Sequence, residues 1–235
     1  MPIPLSADDF KLYRGVCEVR YEDAYLIFDR TGIVFQRVRE SFTNVEVMNA
    51  SPNGSTFNSA EGRFGLEVAQ SRFTADKPDH SLEGFSTHCK KYFDIVTDCF
   101  EIQVFKRIGL RTFARKDFES VELAETALSS IGLLNVEVKQ RFGAADKPNE
   151  IIIRWEGKDI GALFRLKAET GRIDLVLPPE LEMPEAEIHK RITGLVIDVD
   201  FYTIKPVEKA QWDPISWIPQ SIRTVRREVN AILSR

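Results

Sequence analysis

Residues 100–115 constrain the fold more than any other segment, because apolar and polar side chains alternate along them. Between residues 102 and 110, the even-numbered positions other than Lys106 are apolar: Ile102, Val104, Ile108 and Leu110. The odd-numbered positions are mostly arginine and phenylalanine: Gln103, Phe105, Arg107, Gly109, Arg111, Phe113 and Arg115. Since successive side chains of a β-strand point to opposite faces, we predict a long strand with one face in a core.

Charged residues at alternate positions recur in other strand candidates, at Glu18/Arg20, Glu137/Lys139/Arg141, Arg154/Glu156, Arg165/Lys167 and Arg172/Asp174. An antiparallel sheet with one face in water gives this alternation. A closed barrel with a charged lumen, as in the triphosphate-tunnel enzymes, gives it too. The Glu-x-Glu-x-Lys run that defines those enzymes is missing, since the nearest strand reads Glu18-Val19-Arg20-Tyr21-Glu22. We therefore favour an open sheet.

The order of the predicted elements indicates the fold class. Apolar residues at helical spacing predict helices over 23–42 and 82–99, and residues 51–62, rich in Ser, Asn and Gly, predict a loop. The elements through residue 115 then follow the ferredoxin-like order β-α-β-β-α-β. After a further helix, strands joined by short turns predict an antiparallel meander, one more strand and a terminal helix. We predict an α+β protein with a ferredoxin-like N-terminal half and an antiparallel β-meander half with a C-terminal helix.

The change of pattern in the middle of the chain predicts two lobes. Residues 1–117 would form the ferredoxin-like lobe, and residues 118–235 the meander lobe with its terminal helix. One continuous domain is the alternative, because 235 residues suit either arrangement.

The composition limits the classes of partner. A formal net charge of -4 argues against a globally basic nucleic-acid binder, so any such binding must come from a local patch. No run of about 18 apolar residues occurs, and we expect no membrane partner. The N-terminus has no secretory signal pattern, and the three cysteines (Cys17, Cys89 and Cys99) lack paired spacing. These features predict a cytoplasmic protein.

The polar face of the 100–115 strand is the first candidate site. Arginines hold phosphates and aromatic rings stack bases on open sheets, so the anion-binding candidates are Arg107, Arg111, Arg115, Phe105 and Phe113. The aromatic signature of RNA-recognition sheets is absent from this strand. The alternative is that the arginines pair with carboxylates.

Asp198 and Asp200 form the second candidate, because two residues separated by one position share a face of a strand. Paired carboxylates can hold a divalent cation or transfer protons. They can equally form ion pairs with Arg107 and Arg111. No further ligand stands at a diagnostic spacing, so we favour the ion pairs.

Two segments carry a family resemblance. Arg107-Ile108-Gly109-Leu110-Arg111, preceded by an amphipathic helix, resembles the R-hG-LR strand of a sporadically distributed bacterial protein family. Ile197-Asp198-Val199-Asp200-Phe201-Tyr202 resembles the second signature strand of that family, which a C-terminal helix follows. The match would cover nearly the whole chain. It implies a bacterial or phage origin and no activity, because the family has no established one.

Three functions stay open. No glycine-rich phosphate loop, CxxC, HExxH or GxSxG motif occurs, so no catalytic residue is predicted. The leading hypothesis is a non-enzymatic binding or interaction protein without a cofactor, whose partner is another protein or a second copy of the chain. The second is a phosphoanion or single-stranded nucleic-acid binder that uses the arginine and phenylalanine face. The third is a metal-dependent phosphohydrolase of triphosphate-tunnel type, and only this one requires a divalent metal.

Overall fold

The computed structural model describes residues 5–51, 53–78, 81–131, 150–174 and 189–234. The strands are β1 (Lys11–Arg20), β2 (Glu46–Ser51), β3 (Gly54–Asn58), β4 (Arg63–Glu67), β5 (Gln70–Asp76), β6 (Val104–Phe105), β7 (Arg107–Phe118), β8 (Glu150–Glu156), β9 (Ile160–Asp174), β10 (His189–Thr203) and β11 (Val207–Glu208). The helices are α1 (Ile27–Ser41), α2 (Leu82–Phe100), α3 (Val121–Ser130) and α4 (Pro214–Leu233).

Nine strands form one sheet in the order β2-β3-β4-β5-β1-β7-β10-β9-β8. Every neighbouring pair in this sheet is antiparallel. The short strands β6 and β11 pair with each other in a separate ladder. The prediction of an α+β protein with a large antiparallel sheet and a C-terminal helix is confirmed.

The helices pack on one face of the sheet and bury two apolar clusters. The first cluster lies between α1, α2 and strands β1, β4, β5 and β7, and its centre is aromatic. The second lies between α3, α4 and strands β9 and β10. Alternation along the strands explains both clusters, because every second residue of a strand faces the helices.

Side-chain caps define where three of the helices begin. Ser81 accepts a hydrogen bond from the amide of Gly84 at the start of α2, as its sequence position predicts. Ser120 accepts from the amide of Leu123 at the start of α3. Asp213 caps α4, whose first residue is Pro214. None of the helices in the described ranges is long and apolar enough to cross a bilayer.

The ferredoxin-like order of the N-terminal half is not confirmed. Four strands, β2 to β5, lie between α1 and α2 where the prediction placed two. The segment 51–62, predicted as a loop, contains β3, and β1 lies between β5 and β7, antiparallel to both. The prediction missed β3 because Ser, Asn and Gly are typical of loops, whereas here glycine permits close strand pairing: a Cβ on Gly54 would lie 2.6 Å from the carbonyl oxygen of Leu66 on β4.

The sheet continues across the predicted lobe boundary. Residues 117 and 118 are the last residues of β7, which pairs with β1 on one side and β10 on the other. Ile218 of α4 belongs to the cluster that α1 and α2 cover. The strand candidate that contains Glu137, Lys139 and Arg141 lies outside the described residues.

Candidate functional site

The face of the sheet opposite the helices carries charged side chains. Register places Arg111 of β7 between Val16 of β1 and Asp200 of β10. A cavity of about 480 Å³ lies over this face, and none of the described helices covers it. We call this cavity the arginine groove because six arginines line it: Arg14, Arg20, Arg63, Arg72, Arg107 and Arg111.

The turn between β3 and β4 forms one wall of the groove. The hydroxyl oxygen of Ser59 accepts hydrogen bonds from the amides of Glu61 and Gly62, which shapes the turn. A Cβ on Gly62 would lie 2.4 Å from the carbonyl oxygen of Thr74, so this close approach requires glycine. Partial burial acts to raise the pKa of Glu61, but hydrogen bonds, first those from Thr43 and then those from the backbone of Glu61 and from Ser59, together lower that pKa.

Arg111 and Asp198 form a bidentate ion pair beside the groove. Nε and Nη2 of Arg111 donate to the two oxygens of Asp198 at 2.8 and 2.6 Å. The side chain of Asp198 is only 9% exposed, and Arg165 lies 3.6 Å away as a second cation. The hydrogen bonds with Asp198 raise the pKa of Arg111, so the guanidinium stays charged.

Arg107 is held by a carboxylate and by an aromatic ring. Its Nη2 donates to Asp200 at 2.6 Å, and its guanidinium carbon lies 4.1 Å from the centre of the Tyr202 ring. The hydroxyl of Tyr202 donates to Glu156 at 2.9 Å, and burial raises the pKa of this tyrosine. On the neighbouring strand, a Cβ on Gly161 would lie 2.5 Å from the same ring. Tyr202 therefore fills the space that Gly161 leaves and supports Arg107.

Replacing Gly161 should test this support. We expect Gly161→Val to displace Tyr202 and to lower the free energy of unfolding by about 2 kcal/mol, because the added atoms overlap the ring. Urea unfolding measures the change. Gly171→Val on the same strand is the control, since the nearest atom to a Cβ there is 4.0 Å away. Equal effects of the two variants would contradict the packing of Tyr202 on Gly161.

The structure brings together three of the five anion-binding candidates. Arg107, Arg111 and Phe113 line the groove. Arg115 lies further along β7, 2.7 Å from Asp117, and is not among the lining residues. Phe105 is fully buried in the core, 5.2 Å from the ring of Trp212.

The sequence pattern misplaced Phe105 because the strand is interrupted. Lys106 separates β6 from β7, and its amide bonds to the carbonyl of Arg20 instead of continuing either ladder. A break of one residue reverses the face to which later side chains point. Phe105 consequently faces the helices, while Arg107 faces the groove.

Four groove arginines come from strands that the sequence did not single out as a site. Arg14 and Arg20 belong to β1, whose alternating charges were a visible signal. Arg63 and Arg72 belong to β4 and β5, and reach the groove through the register that pairs Arg63 with Thr74. No sequence pattern indicates that register.

Asp198 and Asp200 do not fit a metal site. Each carboxylate already accepts a hydrogen bond from an arginine of β7. Within the described ranges, no three His, Cys, Asp or Glu side chains gather into a group that could hold a metal ion. A site needs more ligands than two carboxylates that are both engaged by cations.

Arginines cover the aromatic rings in and beside the groove, those of Phe113 and Tyr202. The ring of Tyr202 packs against the backbone of Gly161, and the guanidinium of Arg107 lies over the same ring. The guanidinium carbon of Arg111 lies 4.8 Å from the centre of Phe113, and the Tyr13 ring lies 6.2 Å from it. Nucleobases need free ring faces. The groove therefore offers charge rather than stacking platforms.

The comparisons with known proteins do not assign the chain to a family. No protein-family model matches the chain, and no curated protein matches it. A solved structure, the di-domain ARO/CYC StfQ from the steffimycin biosynthetic pathway, is 12% identical over 94% of this chain and 96% of that one, with a TM-score of 0.17. Nothing about fold or activity is carried over from a match with so low a TM-score.

Proposed function

We propose that the protein is a non-enzymatic binding protein that holds a compact phosphate-bearing anion in the arginine groove. The observation that carries this proposal is the local charge. Six arginines line the cavity against four acidic residues (Glu18, Glu61, Asp76 and Asp200), an excess of two positive charges in a chain whose net charge is -4. Clefts that concentrate one sign of charge attract ligands of the opposite sign.

The excess charge lies at the end of the groove formed by β4 and β5. Arg63 has no ion-pair partner in the part of the chain that the structure describes. The nearest carboxylate oxygen to Arg72 belongs to Glu67, at 3.8 Å, too far for a hydrogen bond. Planar guanidinium groups match phosphate oxygens in bidentate geometry, so these two arginines are the ones available to a phosphate.

The first experiment is calorimetric titration of the purified protein with inorganic tripolyphosphate at low salt. We expect saturable binding that weakens as the salt concentration rises, because the contacts are ionic. The double variant Arg63→Ala/Arg72→Ala should lose at least about tenfold in affinity, since each arginine contributes charge-assisted hydrogen bonds. Tripolyphosphate at a hundred times its Kd should stabilise the wild-type fold by about 2.7 kcal/mol.

The matched control is Arg226→Ala/Arg227→Ala on α4, which changes the net charge equally but lies outside the groove. Its affinity for tripolyphosphate should equal that of the wild type. Equal losses in both double variants would mean that only overall charge matters and would overturn the proposal. Hydrolysis of tripolyphosphate would instead favour the hydrolase hypothesis.

Single-stranded nucleic acid is the less favoured ligand, because arginines lie over the rings of Phe113 and Tyr202 that a base would stack on. A short single-stranded DNA in the same titration tests it. Tighter binding of DNA than of tripolyphosphate, removed by the Arg63/Arg72 double variant, would reverse this preference.

A protein partner or a second copy of the chain is the second candidate, and the observation that favours it is the edge strand β2. All six residues of β2 are exposed, including Val47 and Met48. An unpaired strand edge can accept a strand from another chain. We also propose a bacterial, cytoplasmic protein, on the family resemblance and on three buried cysteines that are all unpaired.

A further inference from the structure

Two carboxylates on the floor of the groove each keep one oxygen unengaged. Oδ2 of Asp200 accepts a hydrogen bond from Arg107, whereas Oδ1 accepts none from the described residues. Oε1 of Glu18 accepts from Nε of Arg20, and its Oε2 accepts none from the same parts of the chain. Both residues line the cavity.

Gly109 keeps the space between these carboxylates open. Glu18 lies directly opposite Gly109 across the ladder between β1 and β7. A Cβ on Gly109 would lie 3.6 Å from Oδ1 of Asp200, and its next neighbours, atoms of the Arg107 guanidinium, would be 3.9 Å away. A ligand atom can therefore reach the floor of the groove beside Oδ1.

These oxygens favour a ligand that carries hydrogen-bond donors as well as an anionic group. An ionised carboxylate accepts hydrogen bonds and cannot donate them, so it repels phosphate oxygens. A hydroxyl group donates to a carboxylate and has no such repulsion. The groove thus offers cations on β4 and β5 and hydroxyl acceptors on β1 and β10, two different recognition elements in one cavity.

Building on the proposed function, we infer that the ligand is a phosphorylated polyhydroxyl compound of the sugar-phosphate class. Its phosphate contacts Arg63 and Arg72, and its hydroxyls donate to Oδ1 of Asp200 and Oε2 of Glu18. Two strand spacings, about 10 Å, separate β5 from β7, which leaves room for a sugar ring between the two ends. A cavity of about 480 Å³ is within the usual range for small-molecule sites.

The test compares D-ribose 5-phosphate with methyl phosphate, two phosphate monoesters that differ in their hydroxyls. We expect the sugar phosphate to bind the wild-type protein about tenfold more tightly, because hydrogen bonds to charged groups are worth that much. Gly109→Ala should remove this advantage by blocking the floor and leave methyl phosphate unaffected. The added methyl group makes only ordinary van der Waals contacts, so the variant should fold.

A second variant covers the case in which Gly109→Ala misfolds. Glu18→Gln replaces a charged hydrogen-bond acceptor with a weaker, neutral one, so the advantage of ribose 5-phosphate over methyl phosphate should shrink while methyl phosphate binds equally or more tightly. Equal affinity of the two esters for the wild type, or an unchanged ratio in both variants, would overturn the inference. Tripolyphosphate binding that depends on Arg63 and Arg72 would then still support the proposed function, whereas loss of tripolyphosphate binding in the wild type would remove both.

Discussion

Replacing Phe64 with alanine should lower the free energy of unfolding by about 3–5 kcal/mol, the usual cost of emptying a buried phenylalanine site. Phe64 is fully buried on β4. Its ring centre lies 4.7 Å from that of Phe42, 5.1 Å from that of Phe73 and 5.0 Å from that of Tyr92. Phe42 directly follows α1, Phe73 lies on β5 and Tyr92 lies on α2. The side chain of Phe64 therefore joins two helices to the sheet.

Urea unfolding of Phe64→Ala measures this loss, and for a chain of this length the Tm should fall by about 6–20 °C. Ile152→Ala on β8 is the control, since that side chain is 52% exposed and its removal should change the unfolding free energy by less than about 0.5 kcal/mol. A loss below about 1.5 kcal/mol for Phe64→Ala would contradict close packing of the aromatic cluster.

The second large effect concerns Arg111. We expect Arg111→Ala to lower the free energy of unfolding by about 3 kcal/mol, because it leaves a carboxylate buried without its main partner. Asp198 is 9% exposed, and Arg165, at 3.6 Å, is too distant to replace the two hydrogen bonds that are lost. The cost comes from the unpaired Asp198 and not from the exposed part of Arg111.

A double-mutant cycle with Asp198→Asn separates these contributions. The double variant Arg111→Ala/Asp198→Asn should recover much of the loss, because the neutral amide is cheaper to bury than a lone carboxylate. Arg14 and Asp76 form a control pair at 2.8 Å, with side chains 46% and 66% exposed, and their coupling should stay below about 1 kcal/mol. Additive effects of the Arg111 and Asp198 changes would refute the bidentate pair.

The expected instability of Arg111→Ala also affects the choice of variants for testing anion binding. A variant that removes Arg111 combines loss of charge in the groove with loss of stability, so weaker binding by it would be ambiguous. Arg63 and Arg72 are exposed, and within the described residues no carboxylate oxygen lies within hydrogen-bonding distance of either, so their removal changes the groove without exposing a buried charge. They are the cleaner probes, although the sequence pointed first to Arg111.

The sequence by itself determined the local elements. Alternation along residues 107–115 predicted which side chains of β7 leave the core, and apolar residues at helical spacing predicted the helix over 82–99 that forms α2. The favoured pairing of Asp198 and Asp200 with arginines also follows from residues two apart on a strand. These features depend on neighbours in the chain, where side-chain periodicity is strict.

Only the tertiary structure decided which strands are neighbours. The sheet order places β5 and β7 on either side of β1, which brings Arg72 and Arg107 to one cavity from positions 35 residues apart. Because the strand is interrupted at Lys106, the side chain of Phe105 points into the core. Sheet order and register depend on contacts between distant segments, and a shift of one residue reverses every side chain of a strand. The alternation of residue types along a strand therefore predicted which face of the sheet each side chain occupies. The pairing of strands distant in sequence determined which arginines meet in the groove.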